Sequence, residues 1–399
     1  MSLNQKQQLA VEMYADWIKY PGRRKRPWFE IDGAAGTGKT YTVAEAIKYV
    51  GIDPELAGYM AFVGKATLAL RLNGLPAKTI HSTIYNLTTD YLRDENGEYA
   101  FINGKKKLIQ EFRKKPFEEI NQQYKQFVLD EGGMVGEKIG NDIISYGIPL
   151  MVLGDLAQLP PVMSKRMFLE APDITLTEIM RQEKDSPIIY LSQRAKNGMQ
   201  IKYGVYGDKE CIVIPKDRLT DDYLRQADIV ICGTNSMRDK INMYMRRYIH
   251  GITENYIVPD DKLICRQNRW SMVLDEDVTL VNGLIGYVTS TNKESATRGC
   301  NMDISFRPEF YEKKEFPQIS IDNNYAFMNY ADRCNIDRMS LLNGKTLFEF
   351  GYCITCHLAQ GSQYDTVLVY VENGGNSLYF RQWLYTAITR AKKRLILVI

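Results

Sequence analysis

Residues Trp28–Tyr49 read WFEIDGAAGTGKTYTVAEAIKY. A short apolar strand enters Gly33-Ala34-Ala35-Gly36-Thr37-Gly38-Lys39-Thr40, and the helix-like AEAIKY follows. The pattern is G-x-x-x-x-G-K-[ST], with the strand before it and the helix after it that the motif requires. Glycines at these positions let backbone N–H groups turn inward around phosphate oxygens, and a helix N-terminus adds its positive dipole end. Lys39 is placed to reach the β- and γ-phosphates of a nucleotide, and Thr40 to set its hydroxyl on Mg²⁺. A chance glycine-rich turn is the alternative, and a full eight-residue match in this context argues against it.

Such a loop needs an acidic partner on a neighbouring strand. Phe127–Glu131, FVLDE, is an apolar run ending in two carboxylates. Asp130 is expected to hold the Mg²⁺, and Glu131 to orient or deprotonate the attacking water. A third strand follows in Pro149–Val162, PLMVLGDLAQLPPV. Its Gln158 falls near the carboxyl end of that strand, the ligand-binding edge of an open α/β sheet, where it could sense the γ-phosphate.

The chain has 399 residues, too many for one core, so two or more domains are expected. With 45% hydrophobic and 25% charged residues, the composition is that of a soluble globular protein. No run approaches the roughly 18 apolar residues of a membrane helix. The start MSLNQKQQLAV lacks the pattern of an export signal, so a cytoplasmic location is expected. Seven cysteines without regular spacing read as reduced thiols. Cys353–His357, CITCH, matches the haem-attachment pattern C-x-x-C-H, but attachment takes place outside the cytoplasm. Zinc lacks a second C-x-x-C or H-x-H partner. Net charge is only +3, yet basic residues cluster at Arg23–Arg26, Lys105–Lys107, Arg113–Lys115 and Lys392–Arg394. Such runs are phosphate-binding candidates, although most basic runs are solvated faces. The 26 tyrosines are generous for a protein that would need stacking surfaces.

With the three elements in this order the chain resembles a superfamily 1 helicase, closest to the 1B branch of Dda-type and RecD-type enzymes. Leu3–Gln7, LNQKQ, looks like the Q motif, whose Gln7 would contact adenine. Ala61–Leu70 and Thr79-Ile80-His81-Ser82 look like the two DNA-contacting motifs after the phosphate loop. DEGGM resembles the DExxM element, with Gly132 and Gly133 in place of bulkier residues, and GDLAQLPPV matches the third motif. Leu176–Gln182, LTEIMRQ, resembles the motif that donates a first arginine, Arg181. Trp383–Val398 resembles the last motif, with Arg390 as the second. Tyr352–Val371, YCITCHLAQGSQYDTVLVYV, looks like motif V, so Cys353 and Cys356 occupy its small apolar positions. Leu358 stands where the branch usually carries a basic residue, and Gln363 where it usually has glutamate.

The resemblance implies two RecA-like parallel-sheet P-loop domains. The first, 1A, is expected over 1–83 and 121–178, and the second, 2A, over 179–286 and 351–399. Within them fall a small hairpin insertion (1B, 84–120) and a β-rich SH3-like insertion (2B, 287–350). In the 1B insertion, Tyr85–Gly104 would fold around Glu95-Asn96-Gly97, with Lys105–Lys115 as its basic face. ATP and Mg²⁺ are the expected cofactors. Gln7, Gly33–Thr40 and Gln363 would bind the nucleotide. Lys65, Thr79, His81, Thr234, Asn235, Thr355, His357 and Gln360 would bind nucleic acid. Lys39, Glu131, Gln158, Arg181 and Arg390 would be catalytic. The expected activity is 5′→3′ DNA unwinding on single-stranded and forked DNA by a monomer, with a single-strand-binding protein as a conceivable partner. A 3′→5′ motor of the 1A branch, and a translocase or binding ATPase that does not separate strands, are the alternatives.

Overall fold

The structure is a computed structural model, and it describes all residues except 1–2, 63, 73, 92–97, 100, 103–104, 107, 162–164, 179–185, 276–277, 293–300, 312 and 336–344. Two compact units emerge: Met1–Leu156 with Pro160–Met180, and Ala157–Leu159 with Arg181–Ile399. The short Ala157–Leu159 segment thus belongs to the second unit although first-unit residues flank it in sequence.

The first unit opens with α1 (Gln5–Lys19), β1 (Trp28–Gly33) and α2 (Lys39–Tyr49). It continues through β2 (Ala57–Ala61), α3 (Gly64–Leu72), β3 (Lys78–Thr79), α4 (Ile80–Ile84) and β4 (Tyr85–Tyr91). Short strands β5 (Phe101–Ile102) and β6 (Lys105–Lys106) precede β7 (Leu108–Lys114) and α5 (Phe117–Gln123). Then come β8 (Gln126–Asp130), α6 (Glu137–Ile144), β9 (Leu150–Gly154) and β10 (Ile174–Leu176). A six-stranded sheet runs β10-β1-β9-β8-β2-β3, and every pairing in it is parallel. Helices cover both faces, which is why β1, β2, β8 and β9 read as near-continuous buried runs.

This order corrects one expectation. β1 and β8 are not neighbours, because β9 lies between them and pairs with both. A right-handed crossover can place a later strand between two earlier ones, so chain order alone does not give sheet order. Within β1 the buried Glu30 is held at one oxygen by hydrogen bonds and at the other by charge: its Oε1 accepts from Trp28 Nε1 at 2.8 Å and from Leu169 N at 2.7 Å, and Arg26 lies 3.1 Å from Oε2.

The hairpin insertion is a two-stranded antiparallel arm, β4 with β7, in register from Tyr85↔Lys114 to Tyr91↔Leu108. The expected turn at Asn96-Gly97 lies outside the described residues. The basic run is drawn into the return strand and beyond: Lys114 Nζ lies 3.6 Å from Asp142, and Lys115 Nζ donates to Ser82 O at 3.1 Å.

The second unit contains α7 (Pro187–Lys196), β11 (Gly204–Tyr206), β12 (Cys211–Ile214), α8 (Asp221–Gln226), β13 (Ile229–Cys232) and α9 (Asn235–Tyr244). After β14 (Lys262–Cys265) come β15 (Arg269–Asp275), β16 (Val278–Leu280), β17 (Ile285–Thr291), β18 (Asn301–Pro308) and β19 (Phe316–Asp322). Next are α10 (Asn323–Phe327), α11 (Tyr330–Asn335), β20 (Phe348–Phe350) and β21 (Cys353–Thr355). The chain closes with α12 (Cys356–Ala359), β22 (Tyr364–Tyr370), α13 (Leu378–Ile388) and β23 (Ala391–Val398). A second six-stranded sheet runs β11-β12-β23-β22-β13-β21, parallel except for β11.

A five-stranded antiparallel sheet, β19-β18-β17-β14-β20, packs with it around a shared apolar cluster. It begins at Lys262, ahead of the boundary expected at 287, because the short apolar run KLIC pairs with both β17 and β20. A run of four buried residues carries no mark of which sheet will take it. The far ends of this sheet meet in one bridge, Ile321 with Thr346. Buried ion pairs hold the region. Arg246 and Asp261, both fully buried, meet at 2.7 Å, and Arg246 also donates to the carbonyls of Glu254 and Tyr256.

Candidate nucleotide and nucleic-acid site

The phosphate loop follows the carboxyl end of β1. Gly36 and Gly38 take φ of 78° and 76°, the left-handed region where a Cβ is penalised. Gly33 is required for a different reason: an added Cβ would stand 2.6 Å from Thr37 Oγ1 and 3.2 Å from Leu176 Cβ. Thr37 is buried and its hydroxyl donates to Ala34 O at 2.9 Å. The Lys39 ammonium lies in the curve of the loop, donating to Gly33 O at 2.7 Å and Ala34 O at 3.1 Å. Ala35 and Thr40 are half-buried, Thr40 on the first turn of α2.

Gln7 braces this loop. Its Nε2 donates to Thr37 O at 3.0 Å, while its Oε1 accepts from Asn4 N at 3.0 Å in a reciprocal capping box that starts α1. Asn-x-x-Gln before a helix is a capping signal, and it gives Gln7 a positioning role not foreseen from the Q motif alone.

The paired acids stand at the end of β8. Asp130 Oδ1 accepts from Glu131 N at 2.9 Å, and Glu131 sits at φ 53°, an uncommon conformation for a residue with a side chain. Burial pushes the Asp130 carboxyl above the usual carboxylate range; the Glu131 charge adds to this and Lys39 opposes it. The first of the two glycines of DEGGM has a local reason: a Cβ on Gly132 would lie 2.2 Å from Val152 Cγ1, whereas one on Gly133 would meet only ordinary contacts. Sequence reading missed Asp32, which is buried at the end of β1 and accepts from Leu156 N at 2.9 Å. It thereby ties β1 to the turn after β9.

The remaining expected residues divide between open and engaged. Gln158 is buried, and its neighbour Leu159 is held at both backbone atoms. Leu159 N donates to Thr386 Oγ1 and Leu159 O accepts from Gln360 Nε2, each at 3.0 Å. Gln360, expected on nucleic acid, is itself buried and committed to that bond. Arg390 is buried too. Its guanidinium donates to Thr386 O, Ser362 O and Thr389 Oγ1 at 3.0–3.2 Å. Gln363 is exposed, while Arg181 and the side chain of Lys65 lie outside the described residues.

Thr79 caps α4, its hydroxyl accepting from Ser82 N at 3.1 Å. His81 is ringed by Phe62, Tyr85 and Phe112 with centroids at 6.4, 5.4 and 4.9 Å, and burial lowers its pKa. Thr234 is exposed at the start of α9, yet Glu372 engages it: Oε1 takes its hydroxyl at 2.5 Å, and Oε2 takes Gly233 N and Thr234 N at 2.6 and 2.7 Å. Asn235 follows as the first residue of α9 and is half-buried. Thr355 is buried at the end of β21, and His357, half-buried on α12, has its pKa lowered by burial.

Cys353 and Cys356 are fully buried. Cys353 Sγ lies 3.6 Å from Cys232 Sγ, and Cys356 Sγ donates to Trp383 O at 3.5 Å. Among the described residues no group of three or more His, Cys, Asp or Glu side chains could hold a metal ion. No helix there is long and apolar enough to cross a membrane.

Two RecA-like parallel sheets, the first ending in a phosphate loop and a pair of acids, define a P-loop nucleotide-binding protein. Residues 3–215, more than half the chain, match the family described as an AAA domain, and residues 350–398 match the UvrD-like helicase C-terminal domain. The chain belongs to this AAA-domain family, and the segment that closes it resembles the C-terminal domain of UvrD-like helicases.

It is 23% identical to the ATP-dependent RecD2 DNA helicase of Deinococcus radiodurans over 91% of this chain and 46% of that protein. A protein of Methanocaldococcus jannaschii is 25% identical over 92% of this chain and 36% of its own length. The chain thus spans less than half the length of either relative. Among solved structures, a Pif1 helicase from Bacteroides in complex with ADP-AlF3 and single-stranded DNA shares the fold. Its TM-score is 0.55 at 17% identity, over all of this chain and 92% of that one. The same values hold for a structure of two coordinating Pif1 helicases at forked duplex DNA.

Proposed function

We propose that this chain is an ATP-dependent DNA helicase that moves 5′→3′ along single-stranded DNA and opens duplex at a fork. One observation carries the reading. A glycine-built phosphate loop with an inward lysine shares a unit with a half-buried acid pair, Asp130 and Glu131. Lys39 then exchanges the carbonyls of Gly33 and Ala34 for the β- and γ-phosphates, and Glu131 orients the attacking water. Asp130 and Thr40 are the Mg²⁺ ligands of this proposal. Asp130 fits that role because it stands half-buried beside a second carboxylate, whose charge adds to desolvation in raising its pKa and which a cation would offset. Held there, Mg²⁺ would supply positive charge that offsets the charge of the phosphates. Gln158, Arg181 and Arg390 are assigned to the γ-phosphate, where arginines stabilise a dissociative transition state.

DNA as substrate is supported by the named activities of the relatives and by the motif set Thr79, His81, Thr355 and His357. The 5′→3′ direction is supported by the 1B resemblance. Action as a monomer, the SH3-like reading of the antiparallel sheet and the use of the β4–β7 arm as a wedge belong to the same proposal. The test is unwinding of two duplexes, one with a 5′ and one with a 3′ single-stranded tail. Opening of the 5′-tailed duplex is expected. Opening of the 3′-tailed one instead would assign the opposite polarity, and DNA-stimulated hydrolysis with neither duplex opened would leave a translocase.

A further inference from the structure

α13 begins with two large apolar side chains that the fold leaves in water: Leu378 is 65% exposed and Tyr379 54%. The rest of the helix behaves differently, with Trp383, Leu384, Tyr385 and Ile388 buried. The Tyr379 ring lies 6.4 Å from His357, tilted by 31°. Two rings on separate elements thus stand side by side at a surface, within the range of aromatic contacts. His357 comes from the helix that follows Thr355, and Tyr379 from a position that no motif singled out.

We propose that Tyr379, with His357 beside it, forms a base-stacking platform on the second unit that binds one nucleobase of a single strand. The inference rests on the reading that the chain binds single-stranded nucleic acid. The chemistry of the pair favours a base over a phosphate. Burial lowers the pKa of His357, so the imidazole is neutral at physiological pH, and the phenol carries no charge there either. Neutral rings offer a phosphate no charge-assisted bond, whereas every base has a π-face that an aromatic ring can cover. If Tyr379 only packed over His357, the residue would be mostly buried, whereas it is more than half exposed.

The test compares binding of two fluorescein-labelled oligomers of equal length, one all thymidine and one with abasic residues through its centre. The wild-type chain is expected to prefer the thymidine oligomer. Tyr379→Ala should weaken thymidine binding by about 5- to 150-fold, the range for one stacked base, and leave abasic binding unchanged. Tyr379→Phe should retain the preference. The slope of affinity against salt should not change in Tyr379→Ala, because no phosphate contact is lost. An unchanged thymidine preference in Tyr379→Ala would overturn the platform. So would equal loss on both oligomers, which would mark a structural or backbone role. If the wild-type chain binds neither oligomer, the nucleic-acid reading falls and takes the platform with it.

Discussion

Two βα turns at the carboxyl ends of parallel strands make the telling contrast in this molecule. Each leads from a central strand into a helix, β1 into α2 and β13 into α9, and each turns backbone N–H groups toward the place where a helix dipole favours an anion. After β1 the turn is built from glycines with positive φ and holds an ammonium, Lys39, against its own carbonyls. After β13 the turn is already answered from within: the Glu372 carboxylate accepts from Gly233 N, Thr234 N and the Thr234 hydroxyl. On the proposed reading the first turn receives an anion from outside, whereas the second carries its own. Two sheets of the same kind therefore differ at these turns through a handful of loop residues.

The largest expected effect breaks the first turn. Lys39→Ala should reduce ATP hydrolysis by at least about 10²–10³-fold, because phosphate positioning and transition-state charge are lost together. Phosphate release measures the rate, and circular dichroism checks the fold. Hydrolysis within a few-fold of wild type would remove the phosphate loop from the mechanism.

Asp130→Asn should also abolish hydrolysis, with an opposite effect on stability. Burial raises the folded-state pKa of Asp130, so the folded protein holds this proton more tightly than the unfolded chain does. The ionised carboxylate therefore costs stability. That cost is absent below the ordinary carboxylate range, sets in as pH rises through it, and is complete above the raised folded value. Without nucleotide or divalent cation, Asp130→Asn should melt higher than wild type at pH 7.5 and no higher near pH 3. A lower melting temperature at pH 7.5 would show that the buried charge is better compensated than this.

A smaller effect comes from adding one methyl group to each turn. Gly38→Ala forces a Cβ into φ 76°, a strain of roughly 1–2 kcal/mol at the phosphate loop. Nucleotide affinity should fall with it. Gly233→Ala keeps an ordinary backbone conformation but presses on Glu372 Oε2 at 2.8 Å, which must shift slightly against its bonds to Gly233 N and Thr234 N. Urea unfolding should show a stability loss of under about 1 kcal/mol there, at the low end of what single substitutions cost. Equal penalties would mean that the second backbone is as constrained as the first.

What the sequence made legible follows from the same contrast. The phosphate loop, the acid pair and the closing motif are local signals, since glycine conformations and strand-to-helix transitions are written in adjacent residues. Partners from distant segments are not so written. Glu372 lies 138 residues from Thr234, and nothing near either residue announces the other. Gln360 matched a nucleic-acid motif, yet a carbonyl 201 residues away, Leu159 O, takes its amide. The position of β9 between β1 and β8, and the capture of KLIC by the antiparallel sheet, are likewise decided by tertiary pairing and not by local pattern.

The smallest expected effect probes whether Glu372 acts through its charge or its shape. Glu372→Gln keeps an oxygen for the two backbone N–H groups, and the Thr234 hydroxyl can rotate to accept from the new amide. The hydrogen-bond count is thus preserved while the negative charge at the start of α9 is lost. A charge near a helix N-terminus contributes about 0.3–1 kcal/mol at low ionic strength, so a destabilisation of that size is expected. Because Thr234 is exposed, the difference should shrink in high salt, where exposed charges are screened. Glu372→Ala removes the acceptors as well and should cost more, about 1–2 kcal/mol as for loss of a capping side chain, with little dependence on salt. Urea unfolding of the three proteins at low and high salt separates the two contributions. If Glu372→Gln and Glu372→Ala are equally destabilised at every salt concentration, the charge matters only as part of the hydrogen bonds. If neither differs from wild type, the second turn does not depend on its internal anion, and the contrast with the phosphate loop loses its energetic basis.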